Sequence, residues 1–163
     1  PRVLKAYSDY LKQSTQKLPL LIADLKGDVI DQILEEENIR EIKSYIHAPG
    51  YIANTDLAAL YCGAFAFLYP SLRESFGIPM LEAMACGTPI IAGNTSAMPE
   101  IAGEGALLAD PFNSNDITEK ILQLENDQTL YQQQVEYGIQ RSQLFSWRNT
   151  AESLLKIYKE FAK

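Results

Sequence analysis

Ala64-Phe65-Ala66-Phe67-Leu68-Tyr69 runs directly into Pro70-Ser71-Leu72-Arg73-Glu74-Ser75-Phe76-Gly77-Ile78-Pro79-Met80-Leu81-Glu82-Ala83-Met84-Ala85-Cys86-Gly87. The first six residues are apolar without alternation, as in a strand covered on both faces. Pro79 suits the first turn of a helix, which runs through Met84 and is ended by Gly87. A buried strand, a loop and a helix in this order are half of a βαβ unit.

The pattern repeats outward from this stretch. Thr88 to Ala92 reads as a further strand and Ala106-Leu107-Leu108 as a third, short one. Upstream, Val3, Leu4, Tyr7, Tyr10 and Leu11 recur at helical spacing, with Pro1 in the first turn. Leu18 to Ala23 reads as a buried strand, Asp28 to Asn38 as a helix, and Ile42 to His47 as a strand closed by Pro49-Gly50. Asn54 or Thr55 caps a short helix through Leu57, Leu60 and Tyr61. In the last third Ser114, Asp127 and Ser146 cap three helices. The final one sets Trp147, Ala151, Leu154, Leu155, Tyr158 and Phe161 on one face, expected to be buried. Alternating short strands and helices predict an α/β, Rossmann-like three-layer domain. Its sheet is mostly parallel with helices on both faces, and the C-terminal helices pack alongside. Ligands of such sheets bind outside the carboxyl ends of the strands, so chemistry is expected in the loops that follow them.

With 163 residues the chain has the length of one domain, and 47% hydrophobic and 21% charged residues are ordinary for a globular one. A net charge of -7 argues against general nucleic-acid binding or docking on an anionic membrane. Local anion sites built from backbone amides stay open. Cys62 and Cys86 are too few for a disulfide scaffold and lie in apolar stretches, where cysteine serves as a small buried hydrophobe. This suits a reducing, cytoplasmic setting. The least charged stretch, Leu57 to Leu72, is broken by Cys62, Gly63 and Pro70, so no transmembrane segment is expected. There is no signal-peptide pattern, and the chain enters a helix directly at Pro1, as a piece of a longer protein would.

The loop before Pro79 holds the candidate chemistry. Ser75, Phe76, Gly77 and Ile78 present consecutive amides at a helix start, where free N–H groups and the dipole favour an anion. Gly77 lets a ligand approach the backbone. A carboxylate accepts two hydrogen bonds from a vicinal diol, so Glu74 and Glu82 could each grip a sugar on either side of a diphosphate. A structural alternative fits the same spacing. Ser71-Leu72-Arg73-Glu74 matches a capping box, and Glu82 in the first helical turn complements the dipole. Spacing alone leaves both readings open.

The longer string narrows the choice. Pro70-Ser71, Glu74-Ser75-Phe76-Gly77-Ile78-Pro79, Glu82-Ala83-Met84-Ala85 and Gly87-Thr88-Pro89-Ile90-Ile91 are followed in order by further matching segments. These are Pro99-Glu100-Ile101-Ala102-Gly103, Leu108-Ala109-Asp110-Pro111 and Phe145-Ser146-Trp147. Together they resemble the C-terminal, donor-binding domain of retaining glycosyltransferases of the GT-B fold. That group contains bacterial mannosyl- and glucosyltransferases and sucrose synthase. The resemblance implies that residues 1–163 are one nucleotide-sugar-binding domain, half of a GT-B fold, truncated at its N-terminal side and without the acceptor domain. The donor would be a GDP- or UDP-linked hexose, with no further cofactor or metal required. Glu74 would be the catalytic residue and contact donor-sugar hydroxyls. The amides of Ser75, Phe76, Gly77 and Ile78 would hold the diphosphate and sugar, Glu82 the ribose diol, and Gly50, Tyr51 and Ile52 the base. A glycan or lipid-linked acceptor would enter through the missing domain, with the full-length protein peripheral on the inner membrane face as one placement.

Two departures stand out. Leu21-Ile22-Ala23 runs into Asp24, where a glycine usually ends the strand. The family's Arg and Lys before the first helix, and its central first strand, would precede Pro1. Lys26 and Arg73 are stand-in cations or solvated surface residues. His47 is expected to be a packed strand-end residue, Phe67 and Tyr69 sheet core, Glu100 a first-turn dipole partner, and Glu35-Glu36-Glu37 a solvated helix end. No Cys/His cluster suggests a metal. The alternative from another class is a non-catalytic nucleotide-binding or receiver-like module with Asp24 at a strand end. The absence of lysine between Lys43 and Lys120 counts against it. A degenerate transferase domain kept as a partner-binding surface is a third reading.

Overall fold

Short apolar runs form the strands, and the amphipathic stretches between them form helices. In a computed structural model, which describes residues 1–162, helix α1 (Arg2–Gln13) comes first, then β1 (Leu20–Ala23), α2 (Gly27–Glu36) and β2 (Ile46–Gly50). There follow α3 (Asn54–Gly63), β3 (Phe67–Tyr69), α4 (Ile78–Ala85), β4 (Ile90–Gly93), α5 (Met98–Ala102) and β5 (Leu107–Ala109). Three helices close the chain: α6 (Ser114–Asn126), α7 (Gln128–Gln143) and α8 (Trp147–Phe161). Every strand pairing is parallel, and the strands form two sheets, β1-β2 and β3-β4-β5.

Strand β4 shows why the domain has three layers. All four of its residues are buried. Ile91 packs with Leu4, Tyr7 and Tyr10 of α1 and Ile117, Ile121 and Leu124 of α6. Ile90 and Ala92, pointing the other way as strand geometry requires, pack with Met80, Ala83 and Met84 of α4 and Met98 and Ile101 of α5. The first core continues under Leu20, Ile22, Ile46 and Ala48, so the two sheets share it without a strand-to-strand hydrogen bond. The Thr118 hydroxyl joins α6 to α1 by donating to the Ala6 carbonyl at 2.9 Å.

Several local expectations need correction. The stretch expected to be a strand over Ile42–His47 is a 3-10 turn over Arg40–Tyr45, and β2 begins at Ile46. Ile42 is the only buried residue of that turn, so it anchors a turn rather than one face of a strand. His47 is exposed, not packed. The run from Ala64 becomes strand only at Phe67, and β3 is half-buried because it is an end strand. Leu21 in β1 is likewise exposed. Asn113, not Ser114, caps α6, accepting from the amides of Asn115 and Asp116. Helix α3 starts at Asn54 without a side-chain cap. Asp127 and Ser146 cap α7 and α8 as expected. Cys62 is exposed and Cys86 half-buried, so neither is a core residue. The largest difference is α8, none of whose residues is buried. Its apolar face exists, but among the described residues no other element buries it.

Candidate functional site

Parallel pairing puts the carboxyl ends of β3 and β4 side by side, and the loops after them are laced together. The loop after β3 spans residues 70–77 and the one after β4 residues 94–97. The Glu74 amide donates to the Ser96 hydroxyl at 3.2 Å, and that hydroxyl donates to the Glu74 carbonyl at 2.6 Å. Thr95 Oγ1 donates to the Leu72 carbonyl at 3.1 Å. Contact is so close that a Cβ on Gly93 would lie 2.6 Å from the Ser71 carbonyl oxygen, which only glycine tolerates. Ser71 Oγ donates to Glu74 Oε1 at 3.0 Å, so the half-buried carboxylate is held as well as its backbone.

This geometry removes the capping-box alternative. No helix begins near Ser71; α4 starts at Ile78, with Gly77 as its N-cap in the left-handed region at φ +98°. Glu82 is therefore the fifth helical residue, in the second turn rather than the first, where the dipole offers little. The amides of Ser75, Phe76, Gly77 and Ile78 donate to no other group among the described residues. They form a short row of free N–H groups at a helix N-terminus. Phe76 stands edge-on to Phe145, with centroids 5.8 Å apart. Phe145 lies in turn under the Arg141 guanidinium.

Glu74 and Glu82 are linked by a row of aromatic side chains. Tyr61 of α3 meets Phe67 edge-on at 5.2 Å, and Phe67 stacks on Tyr69 at 5.5 Å. Burial, then the carboxylate of Glu74, push the Tyr69 phenol up to about 12. Burial, then Glu82, raise the Tyr61 phenol. The two acids thus neighbour the two ends of one aromatic row, on one side of the domain.

Gly50, Tyr51 and Ile52 sit in the other sheet, at the carboxyl end of β2. Gly50 adopts φ +82°, and Tyr51 is 78% exposed. No hydrogen bond among the described residues joins them to Glu74–Glu82; the connection is α3, which begins at Asn54 and places Tyr61 against Glu82. Asp24 takes φ +60°, the conformation a glycine would supply there, and its amide donates to the Gly50 carbonyl at 2.9 Å. Asp tolerates that region better than most residues. Lys26 and Arg73 are both exposed.

The site is an open shelf. A shallow hollow of about 330 Å³ lies away from it, against Glu119, Leu122, Gln123 and Asn126, and a cleft of about 140 Å³ between Pro1, Arg2, Pro70 and Pro111 borders the start of the loop after β3. Tyr61, Tyr69, Gly93, Thr95 and Ser96 were not among the expected site residues. Tyr69 reads as sheet core from its strand, while Gly93-Asn94-Thr95-Ser96 follows a strand and was open to reading as a ligand-end loop. Among the described residues no three His, Cys, Asp or Glu side chains converge as a metal site. Asp24 therefore lacks the acid cluster that a receiver-like module needs.

Residues 1–141 match the family described as Glycosyl transferases group 1. O-antigen chain mannosyltransferase B of Escherichia coli is 34% identical over 160 residues, covering 96% of this chain and 41% of that protein. The C-terminal domain of a group 1 family protein, LpcC of Francisella tularensis, superposes with a TM-score of 0.71 at 25% identity, covering 88% of this chain and 76% of that one. Anabaena HepE, solved with UDP-glucose, gives 0.79 at 19% identity, covering 96% of this chain and 44% of that one. The chain thus spans about two fifths of the curated relative. It belongs to the group 1 glycosyl transferases and is a C-terminal domain of the GT-B type.

Proposed function

We propose that this domain of a group 1 glycosyltransferase binds a nucleotide-diphosphate hexose. The full-length protein then transfers the hexosyl group to a glycan or lipid-linked acceptor with retention of configuration. The observation that carries the reading is the row of unengaged amides from Ser75 to Ile78, flanked by Glu74 and Glu82. These amides receive the diphosphate, with the α4 dipole behind them. Glu82 accepts from the ribose diol, and Glu74, fixed by Ser71 and Ser96, accepts from donor-sugar hydroxyls beside the scissile bond. Gly50, Tyr51 and Ile52 border the base. Preorganised N–H groups stabilise the charge that builds on the departing diphosphate without reorganising as it forms.

The mannosyltransferase relative supports a mannosyl donor, and the HepE complex supports a nucleotide sugar. Residues 1–163 form the donor side, and the acceptor binds to polypeptide outside them. The division into two parallel sheets over a shared core supports a further strand from that polypeptide completing the domain. No helix among the described residues is long and apolar enough to cross a membrane. In this reading a lipid-linked acceptor is met at the membrane surface.

The test is calorimetry on the full-length protein with UDP, GDP, ADP and their sugar conjugates. Glu82→Ala removes hydrogen bonds to a charged group, so affinity for the preferred nucleotide should fall about 10- to 100-fold (~1.5–3 kcal/mol). Glu82 is exposed, so the circular dichroism and unfolding midpoint should not change. Unchanged affinity would remove the ribose assignment.

A further inference from the structure

Cys62 is the penultimate residue of α3, and Cys86 is the C-cap of α4, against which α3 packs. Within α3 the Cys62 amide donates to the Ala58 carbonyl, the ordinary bond of a helical turn. The same carbonyl lies 3.8 Å from Cys86 Sγ. Next to the pair, the Thr88 hydroxyl donates to the Tyr61 carbonyl at 2.5 Å, so both segments that bear the sulfurs are tied together at this point. Ala58 and Cys62 are four residues apart, so they lie on the same face of α3, the face that Cys86 Sγ meets at the Ala58 carbonyl. Burial, then the neighbouring Cys62 thiol, push the Cys86 thiol up. Cys62 is exposed and Cys86 half-buried, so small reagents can reach them.

We propose that Cys62 and Cys86 are a thiol–disulfide modification site, in which exchange with a low-molecular-weight disulfide closes a bridge between α3 and α4. Cys62, the more exposed thiol, attacks as the thiolate; the small S–S bond breaks and one small thiolate leaves. Cys86, deprotonated in turn, attacks the Cys62 sulfur and displaces the second small thiolate. The two protein protons end on the small thiols. Two protein thiols are oxidised and one small disulfide is reduced.

The functional consequence rests on Glu82 as the nucleotide ligand. Glu82 lies one turn before Cys86, and its neighbour Tyr61 directly precedes Cys62. A disulfide holds its two Cα atoms about 4.4–6.8 Å apart, a span that facing positions on two packed helices can meet. Closing the bridge locks the end of α3 to the end of α4 one turn behind Glu82, and this restraint on the helix that carries the nucleotide ligand weakens binding.

The full-length protein is incubated with oxidised glutathione and its intact mass recorded. The expected result is a loss of two hydrogens with no adduct. Trypsin, cleaving after Lys43, Arg73 and Lys120, should then release residues 44–73 linked to 74–120. Cys86→Ser should instead retain one glutathione on Cys62. Nucleotide affinity should fall several-fold in the bridged protein and return with dithiothreitol. Glutathione adducts without the linked peptide, or a protein that stays reduced, overturn the modification site. A linked peptide with unchanged affinity overturns its effect on binding. If reduced Glu82→Ala also binds normally, the nucleotide assignment has failed and the bridge itself stands.

Discussion

Helices α1 and α8 are both amphipathic, with apolar residues recurring at spacings of three and four, yet they end in opposite states. Tyr10 in α1 is 1% exposed, whereas Trp147 and Phe161 in α8 are 85% and 84% exposed. Helix α1 meets α6 and the underside of the sheet, and its C-terminus is gripped by Glu125. That carboxylate accepts from Ser14 Oγ at 2.9 and 2.8 Å and from the amides of Thr15 and Gln16. Helix α8 has its own cap, Ser146 Oγ accepting from the Asn149 amide at 3.0 Å, and no burying surface among the described residues. Local chemistry is enough to form both helices. Burial further requires a second apolar face, and only α1 has one.

The contrast can be broken at its strongest point. Tyr10 stacks on Tyr7, and its hydroxyl accepts from the Leu18 amide at 3.2 Å. Tyr10→Ala should cost about 3–5 kcal/mol, as truncating a buried aromatic does, read from urea unfolding. A cost below ~1 kcal/mol would mean α1 is no better anchored than α8.

Glu125→Gln sharpens the same contrast with a smaller effect. Burial alone would raise the Glu125 carboxyl, but hydrogen bonds from Tyr10, Ser14 and the amides of Gln16 and Thr15 outweigh it and hold it below its usual 4.5. The unfolded chain therefore takes up the proton first as pH falls. The stabilisation is complete above 4.5 and is lost as pH drops through and below that value. The substitution should cost about 1–2 kcal/mol at neutral pH and flatten the acid limb of a stability–pH curve. An unchanged limb would place the anchoring of α1 elsewhere.

What the sequence could reveal follows the same division. The apolar run of β4, the caps of α7 and α8, and the loop from Ser71 to Gly77 depend on neighbours close in the chain, and their residues can be read directly. The Ser96 clasp on Glu74 spans 22 positions, and the aromatic row joins residues of α3 and β3. Neither is visible in spacing. The 3-10 turn at Arg40–Tyr45 depends on Ile42 being buried while Tyr45 packs only partly against the same core, a matter of packing rather than of pattern. Burial of α8 failed as an expectation because periodicity marks a face and does not name what covers it.

The smallest effect is expected where the apolar face is most exposed. Leu155 and Tyr158 are 52% and 65% exposed, so replacing both by alanine removes little buried area and leaves no cavity. Alanine is also the better helix former, which offsets part of any loss. The double substitution should change the stability of this chain by no more than about 0.5 kcal/mol, with the helical circular dichroism retained. A cost above ~2 kcal/mol, the range of core truncations, would show that α8 folds back onto the domain in solution. The difference from α1 would then be one of geometry rather than of partnership.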